Sequence, residues 1–103
     1  MRPSIALAAH RDALRKLSAR CSVRNPRIFG SVARGDDGER SDLDILADSS
    51  PETTLLRLAE LQIEAEALLG VPVDGRTIED LPPRIRDLPP RIRDSVLREA
   101  RPL

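Results

Sequence analysis

Two glycines and two aspartates, spaced within one short stretch, constrain this chain more than any other feature. The run Gly30-Ser31-Val32-Ala33-Arg34-Gly35 is followed by Ser41-Asp42-Leu43-Asp44. Asp42 and Asp44 alternate with Leu43 and Ile45, so Asp42 to Ala47 reads as a strand with carboxylates on one face and aliphatic side chains on the other. Val23 to Phe29 reads as a preceding strand. Pro26 interrupts it and, lacking an N–H, belongs at the strand start or on an edge. Between the two strands, Ser31 to Arg40 supplies a short helical turn and then the polar loop Asp36-Asp37-Gly38-Glu39.

Helical periodicity places the remaining elements. An amphipathic helix runs from Pro3-Ser4 to about Arg20, with Ser4 as N-cap and Ile5, Ala9, Ala13, Leu14 and Leu17 on its apolar side. His10 lies on its surface, with no partner motif around it. Ser49-Ser50-Pro51 opens a second helix whose stripe is Leu58, Leu61, Ala65 and Leu68, and Gly70 ends it. Val71 to Thr77 is a short third strand carrying Asp74. A last helix runs from Pro90 to Ala100, with Ile92, Val96 and Ala100 on one face, and Pro102 stops it. The heptad Leu81-Pro82-Pro83-Arg84-Ile85-Arg86-Asp87 is repeated as residues 88–94. Its proline pairs exclude a mid-helix position. The second copy is expected to start the last helix, and the first to form an extra surface turn.

These elements predict one α/β (α+β) domain over residues 1–103: a small mixed sheet carrying the aspartates on one side, with helices packed on the other. Phe29 is the sole aromatic, so the core is aliphatic. Seventeen basic and seventeen acidic side chains cancel. Such a chain has no global field to attract a polyanion, which argues against direct nucleic-acid binding. Cys21 is alone and reads as a buried structural thiol in a reducing compartment. No signal-peptide core and no apolar run of membrane-spanning length is present. The expected setting is cytoplasmic, away from membranes.

The spacing also points to chemistry. Two carboxylates on one strand face repel unless a cation neutralises them, and magnesium takes oxygen ligands while keeping substrate phosphates in its shell. A solvated polar strand face would show the same pair. The upstream turn adds weight. Gly30 allows close backbone approach, Ser31 brings a hydroxyl at a helix start, and Arg34 shares its helix face. Together these suit a metal-bound nucleoside triphosphate.

Gly-Ser-x-x-Arg-Gly, a polar gap and Ser-Asp-x-Asp resemble the nucleotidyltransferase superfamily of DNA polymerase beta. The small size and flanking pattern are most similar to the minimal nucleotidyltransferases, the MNT antitoxins paired with HEPN toxins. The resemblance covers nearly the whole chain, including Asn25-Pro26-Arg27-Ile28-Phe29 and the closing Arg-Ile-Arg-Asp helix. It implies a third carboxylate on a later strand, which Asp74 matches. Gly75 stands where an aliphatic residue is common, and the expectation is that Asp74 is less firmly held there. The family implies AMP transfer from ATP, with pyrophosphate leaving. Asp42, Asp44 and Asp74 would be catalytic and would hold two Mg2+ ions, Mn2+ being equally acceptable to such ligands. Asp74 would also accept the incoming hydroxyl's proton. Gly30 and Ser31 would cradle the β and γ phosphates, with Arg34 in support. The implied acceptor is a tyrosine of a cognate HEPN ribonuclease toxin, in a hetero-oligomer with it. The alternative is a binding module that neutralises a toxin by occlusion. Nucleotidylation of a small molecule such as an aminoglycoside is disfavoured, because no acceptor-binding domain accompanies the core.

Overall fold

The period-two alternation read from Asp42 to Ile45 governs a whole sheet. The computed structural model describes residues 1–77 and 87–103, the side chains of residues 95 and 96 excepted. Its elements are α1 (Pro3–Arg20), β1 (Arg24–Phe29), α2 (Gly30–Arg34), β2 (Leu43–Asp48), α3 (Leu55–Leu69), β3 (Val73–Thr77), α4 (Pro90–Leu97) and β4 (Arg101–Pro102). The sheet order is β3-β2-β1-β4. β1 is antiparallel to both β2 and β4, whereas β2 and β3 are parallel. A parallel pair needs a crossover, and α3 is that crossover. The mixed sheet with helices agrees with the expected fold class.

Leu43, Ile45 and Ala47 of β2 join Ile28 and Val73 in one aliphatic cluster with Leu7, Leu14 and Leu17 of α1 and Leu58, Leu61, Ala65 and Leu69 of α3. Each fully buried aliphatic side chain contributes roughly 1.5–3 kcal/mol of transfer free energy. The opposite face carries Asp44 and Asp74.

Several local expectations need correction. Pro3 occupies the first helical position of α1 and Arg2 the N-cap, so Ser4 is not the cap. Ile5, Ala9 and Ala13 face solvent; Pro3, Ala6, Leu7, Leu14, Leu17 and Ser18 are buried. Both stripes have helical spacing, but the leucine-bearing one removes more apolar area from water. The helix is kinked at His10 (φ −129°, ψ 19°), which stays exposed. Pro26 lies in a strand flanked on both sides. The β1–β2 register shifts between Arg24 and Arg27, and this irregularity accommodates the missing N–H. Pro51 does not begin α3. The chain turns at Ser50–Thr53, and Thr54 is the N-cap, accepting from the Arg57 N–H at 3.2 Å. Leu69, not Leu68, is fully buried.

α4 begins on the second heptad copy as expected but ends at Leu97, and Ile92 is 50% exposed. Ala100 lies beyond it, and Arg101–Pro102 pair with β1 instead of stopping a helix. Val96's side chain and all but Asp87 of the first heptad copy lie outside the described residues. Among the described residues no helix is long and apolar enough to cross a membrane. Cys21 is buried, and its thiol is pushed up, by desolvation first and then by Glu64 and Glu60. That is the opposite of an activated nucleophile.

The edge of β3 is covered by α3. The Val73 N–H donates to Glu66 Oε1 at 3.0 Å and the Gly75 N–H to Gln62 Oε1 at 2.8 Å. Four residues of helix rise about 6 Å and two of strand about 6.6 Å, so the two side chains match two successive outward N–H groups. β3 runs without a break through Gly75. A Cβ at Gly75 would meet Gln62 and Leu58 at 3.5–3.6 Å, an ordinary contact.

The missing cap of α1 comes from the loop before β2. Asp37 Oδ2 accepts the Ser4 N–H at 2.9 Å, and Arg2 Nε donates to the Asp37 carbonyl at 3.0 Å. Burial opposes ionisation of Asp37, but the Ser4 N–H and hydroxyl and then Arg2 outweigh it, holding the carboxyl below its usual 3.8. A depressed carboxyl pKa stabilises the fold above the unfolded value, and this is lost as pH falls through the folded value. Asp37→Asn should lower unfolding free energy by about 2 kcal/mol near neutrality. The gap should close in denaturant titrations repeated toward about pH 2; a gap that persists there contradicts this role.

Candidate active site

β2 and β3 pair so that Asp44 and Asp74 are direct neighbours across the parallel ladder. Adjacent strands lie about 4.8 Å apart. Both side chains are on the face away from the helices, where Phe29 of β1 is Asp44's other neighbour. Asp42 precedes β2 by one residue and is exposed. Asp44 is the electrostatic centre of the group. Burial, then Asp74, then Asp42 push its carboxyl up from 3.8 to about 6, against Arg76 and Arg34.

The glycine turn lies directly on this carboxylate. Gly30 has φ +74°, and a Cβ built there would collide with Asp44 Oδ2 and stand 3.2 Å from its Cγ. Two independent reasons therefore require glycine: the left-handed backbone, and a space already filled by Asp44. The resulting contact joins the end of β1 to the acidic row. Ser31, in the first turn of α2, is half-buried and stays within solvent's reach. Gly35 closes α2 in the left-handed region.

Arg34 is placed differently from a simple phosphate ligand. Its Nε meets Asp36 Oδ2 at 3.3 Å and its Nη1 meets Glu99 Oε2 at 3.6 Å. It orients on carboxylates, but not on those of the acidic row. Asp74 also has a partner that the motif did not single out: Arg76 Nε donates to Asp74 Oδ2 at 2.8 Å. Period-two spacing from Asp74 was the signal for Arg76. Glu99 had no sequence signal, since its approach to Arg34 is a tertiary contact.

Among the described residues, no three acidic, His or Cys side chains are drawn together in metal-holding geometry. Asp42, Asp44 and Asp74 offer carboxylate oxygens, the donor type that a hard divalent cation takes. Burial first, and then repulsion from Asp74 and Asp42, raises Asp44, and a bound cation would relieve the repulsive part.

Two outcomes follow from the packing around Asp44. A carboxyl raised in the folded state favours its protonated form, so its ionisation destabilises the fold progressively from pH 3.8 to about 6. Asp44→Asn should therefore melt a few degrees above wild type at pH 8 in EDTA, and the difference should shrink toward pH 4. Calorimetry showing a lower melting temperature at pH 8 would contradict this. Gly30→Ala should cost at least about 1–2 kcal/mol through strain alone, and should displace the Asp44 carboxylate, read by chemical-shift changes confined to β2 and β3.

Comparison with known proteins follows the same residues. A family model described as the nucleotidyltransferase domain matches residues 7–103. The protein adenylyltransferase MntA of Thermococcus cleftensis is 46% identical over 68 residues, which is 66% of this chain and 66% of that protein. A Methanocaldococcus jannaschii protein, provisionally named a protein adenylyltransferase, is 40% identical over 64 residues, or 62% of this chain and 69% of that one. The aligned stretch thus spans about two thirds of the length of these curated relatives. A solved structure provisionally named a minimal nucleotidyltransferase superposes with a TM-score of 0.74 at 44% identity, covering 98% of this chain and 96% of that one.

Proposed function

The chain belongs to the nucleotidyltransferase-domain family, and we propose that it is a metal-dependent protein adenylyltransferase that moves AMP from ATP to a tyrosine hydroxyl of a cognate HEPN ribonuclease toxin. The toxin is thereby silenced, in the cytoplasm, within a hetero-oligomer of the two proteins. The single observation that carries the reading is the in-register Asp44–Asp74 pair lying against a turn that has room only for glycine. The relative named a protein adenylyltransferase supports a protein acceptor.

In the reaction the tyrosine oxygen attacks the α-phosphorus. A new O–P bond forms as the α–β bridging bond breaks, and pyrophosphate leaves with its electron pair. Asp42, Asp44 and Asp74 would hold two Mg2+ ions, with Mn2+ an acceptable substitute. Such ions, when bound, stabilise charge on the attacking and leaving oxygens. Asp74 takes the phenolic proton. The backbone at Gly30 and the hydroxyl of Ser31 bind the β and γ phosphates. Arg34 stands at the rim of this turn and orders it through Asp36 and Glu99.

A second reading has one specific observation in its favour. Leu55, Leu56 and Ile63 of α3 are 76%, 70% and 69% exposed. Such an apolar surface suits neutralisation of a toxin by occlusion without chemistry.

The test combines labelled ATP, Mg2+ and the candidate toxin. Label should appear on a toxin tyrosine. Asp42→Asn/Asp44→Asn should reduce transfer at least about a hundredfold while the proteins still bind each other. Absence of label on a toxin that binds rules out the adenylyltransferase reading. Neutralisation that survives the double substitution supports occlusion.

A further inference from the structure

Arg76 lies two residues after Asp74 on β3 and therefore on the same sheet face. It sits opposite Leu46, one register position beyond the Asp44–Asp74 pair. Leu46, two residues after Asp44 on the same face, is buried, at 2% exposure. The arginines around the acidic row divide by partner. Arg27 is held by Asp48 at 2.8 Å, on the far side of Leu46. Arg34 is held by Asp36 and Glu99. Arg76 is bonded to a member of the row itself, at 2.8 Å from Asp74 Oδ2.

This placement has an electrostatic consequence. Asp74, its register neighbour, and Asp42 both repel Asp44, and the fixed positive charge of Arg76 on Asp74 offsets part of that repulsion while no cation is bound. The same charge opposes an arriving cation and occupies one of the oxygens it would take. Both side chains of the pair are well exposed, at 42% and 37%. Water and ions therefore reach the pair, and the exchange requires no unfolding of β3.

We propose that Arg76 is a resident counter-ion and positioning residue: it holds the Asp74 carboxylate in the cation-free protein and surrenders it when a divalent ion enters. Cation binding at Asp74 is then an exchange of guanidinium for metal, weaker than three unencumbered carboxylates would give. The inference deepens the metal-dependent reading above and rests on it.

The test is titration of the intact protein with Mn2+ alone at pH 8, without nucleotide, reading free Mn2+ by electron paramagnetic resonance. Arg76→Gln should bind Mn2+ about tenfold more tightly than wild type, because a repelling charge and a competing donor are removed. Arg76→Lys, which keeps the charge, should stay within about threefold of wild type. In Asp74→Asn/Arg76→Gln the gain over Asp74→Asn alone should vanish, since the two residues act as a unit. Melting in EDTA reports the fold of each variant. Arg76→Thr, suited to a strand, replaces Arg76→Gln if the latter does not fold. Unchanged or weaker Mn2+ affinity on loss of the arginine overturns the proposal, as does tightening that persists without the Asp74 carboxylate. Failure of wild type and Arg76→Gln alike to bind Mn2+ saturably overturns it together with the metal site. Saturable wild-type binding with no change in the variant overturns the counter-ion role alone.

Discussion

Two like-charged carboxylates stand side by side on adjacent parallel strands, and the domain is organised to keep them there. Asp44 and Asp74 are in register because β2 and β3 are, and that pairing is secured from both sides. Beneath it, Leu43, Ile45 and Val73 pack on Leu58, Leu61, Ala65 and Leu69 of α3. Beside it, Gln62 and Glu66 hold the outer N–H groups of β3. Hydrophobic burial of several kcal/mol on one face offsets the repulsion concentrated on the other. The site is therefore destabilised where chemistry requires charge, and the cost is met by an ordinary aliphatic core.

The same face is laced with opposite charges. Arg27 pairs with Asp48, Arg76 with Asp74, and Arg34 with Asp36 and Glu99, so the arginines offset only part of the negative charge there.

Contacts distant in sequence carry the remaining precision. Asp37 ties the loop before β2 to the first turn of α1. This sets where the chain re-enters the sheet, and so where Asp42 projects. At the other end, Leu103 is bonded to Pro26 while Arg11 and Arg15 grip its main-chain oxygen. The final residues thereby extend the sheet alongside β1.

The alternation from Asp42 to Ala47, the glycine after Phe29, the α3 stripe and the carboxylate in the third strand were all legible from residue order. Periodicity is a local property, and it sufficed to put Asp44 on the face opposite Leu43 and Ile45, whereas Asp74 entered through the family resemblance. Asp44 and Asp74 stand in register, and Gly30 lies against Asp44. Residue order could not say which of α1's two apolar stripes would face the sheet, since both have helical spacing and packing chooses between them. Nor could it show that Asp37 caps a helix 33 residues away, that Arg34 turns to Glu99, or that residues 101–102 add a strand. These depend on which surfaces meet once the chain has closed. Sequence alone determined the faces of β2, through the alternation of Asp44 with Leu43 and Ile45. Only the tertiary structure decided which cations guard the acidic row, because an ion pair depends on distance in space and not along the chain.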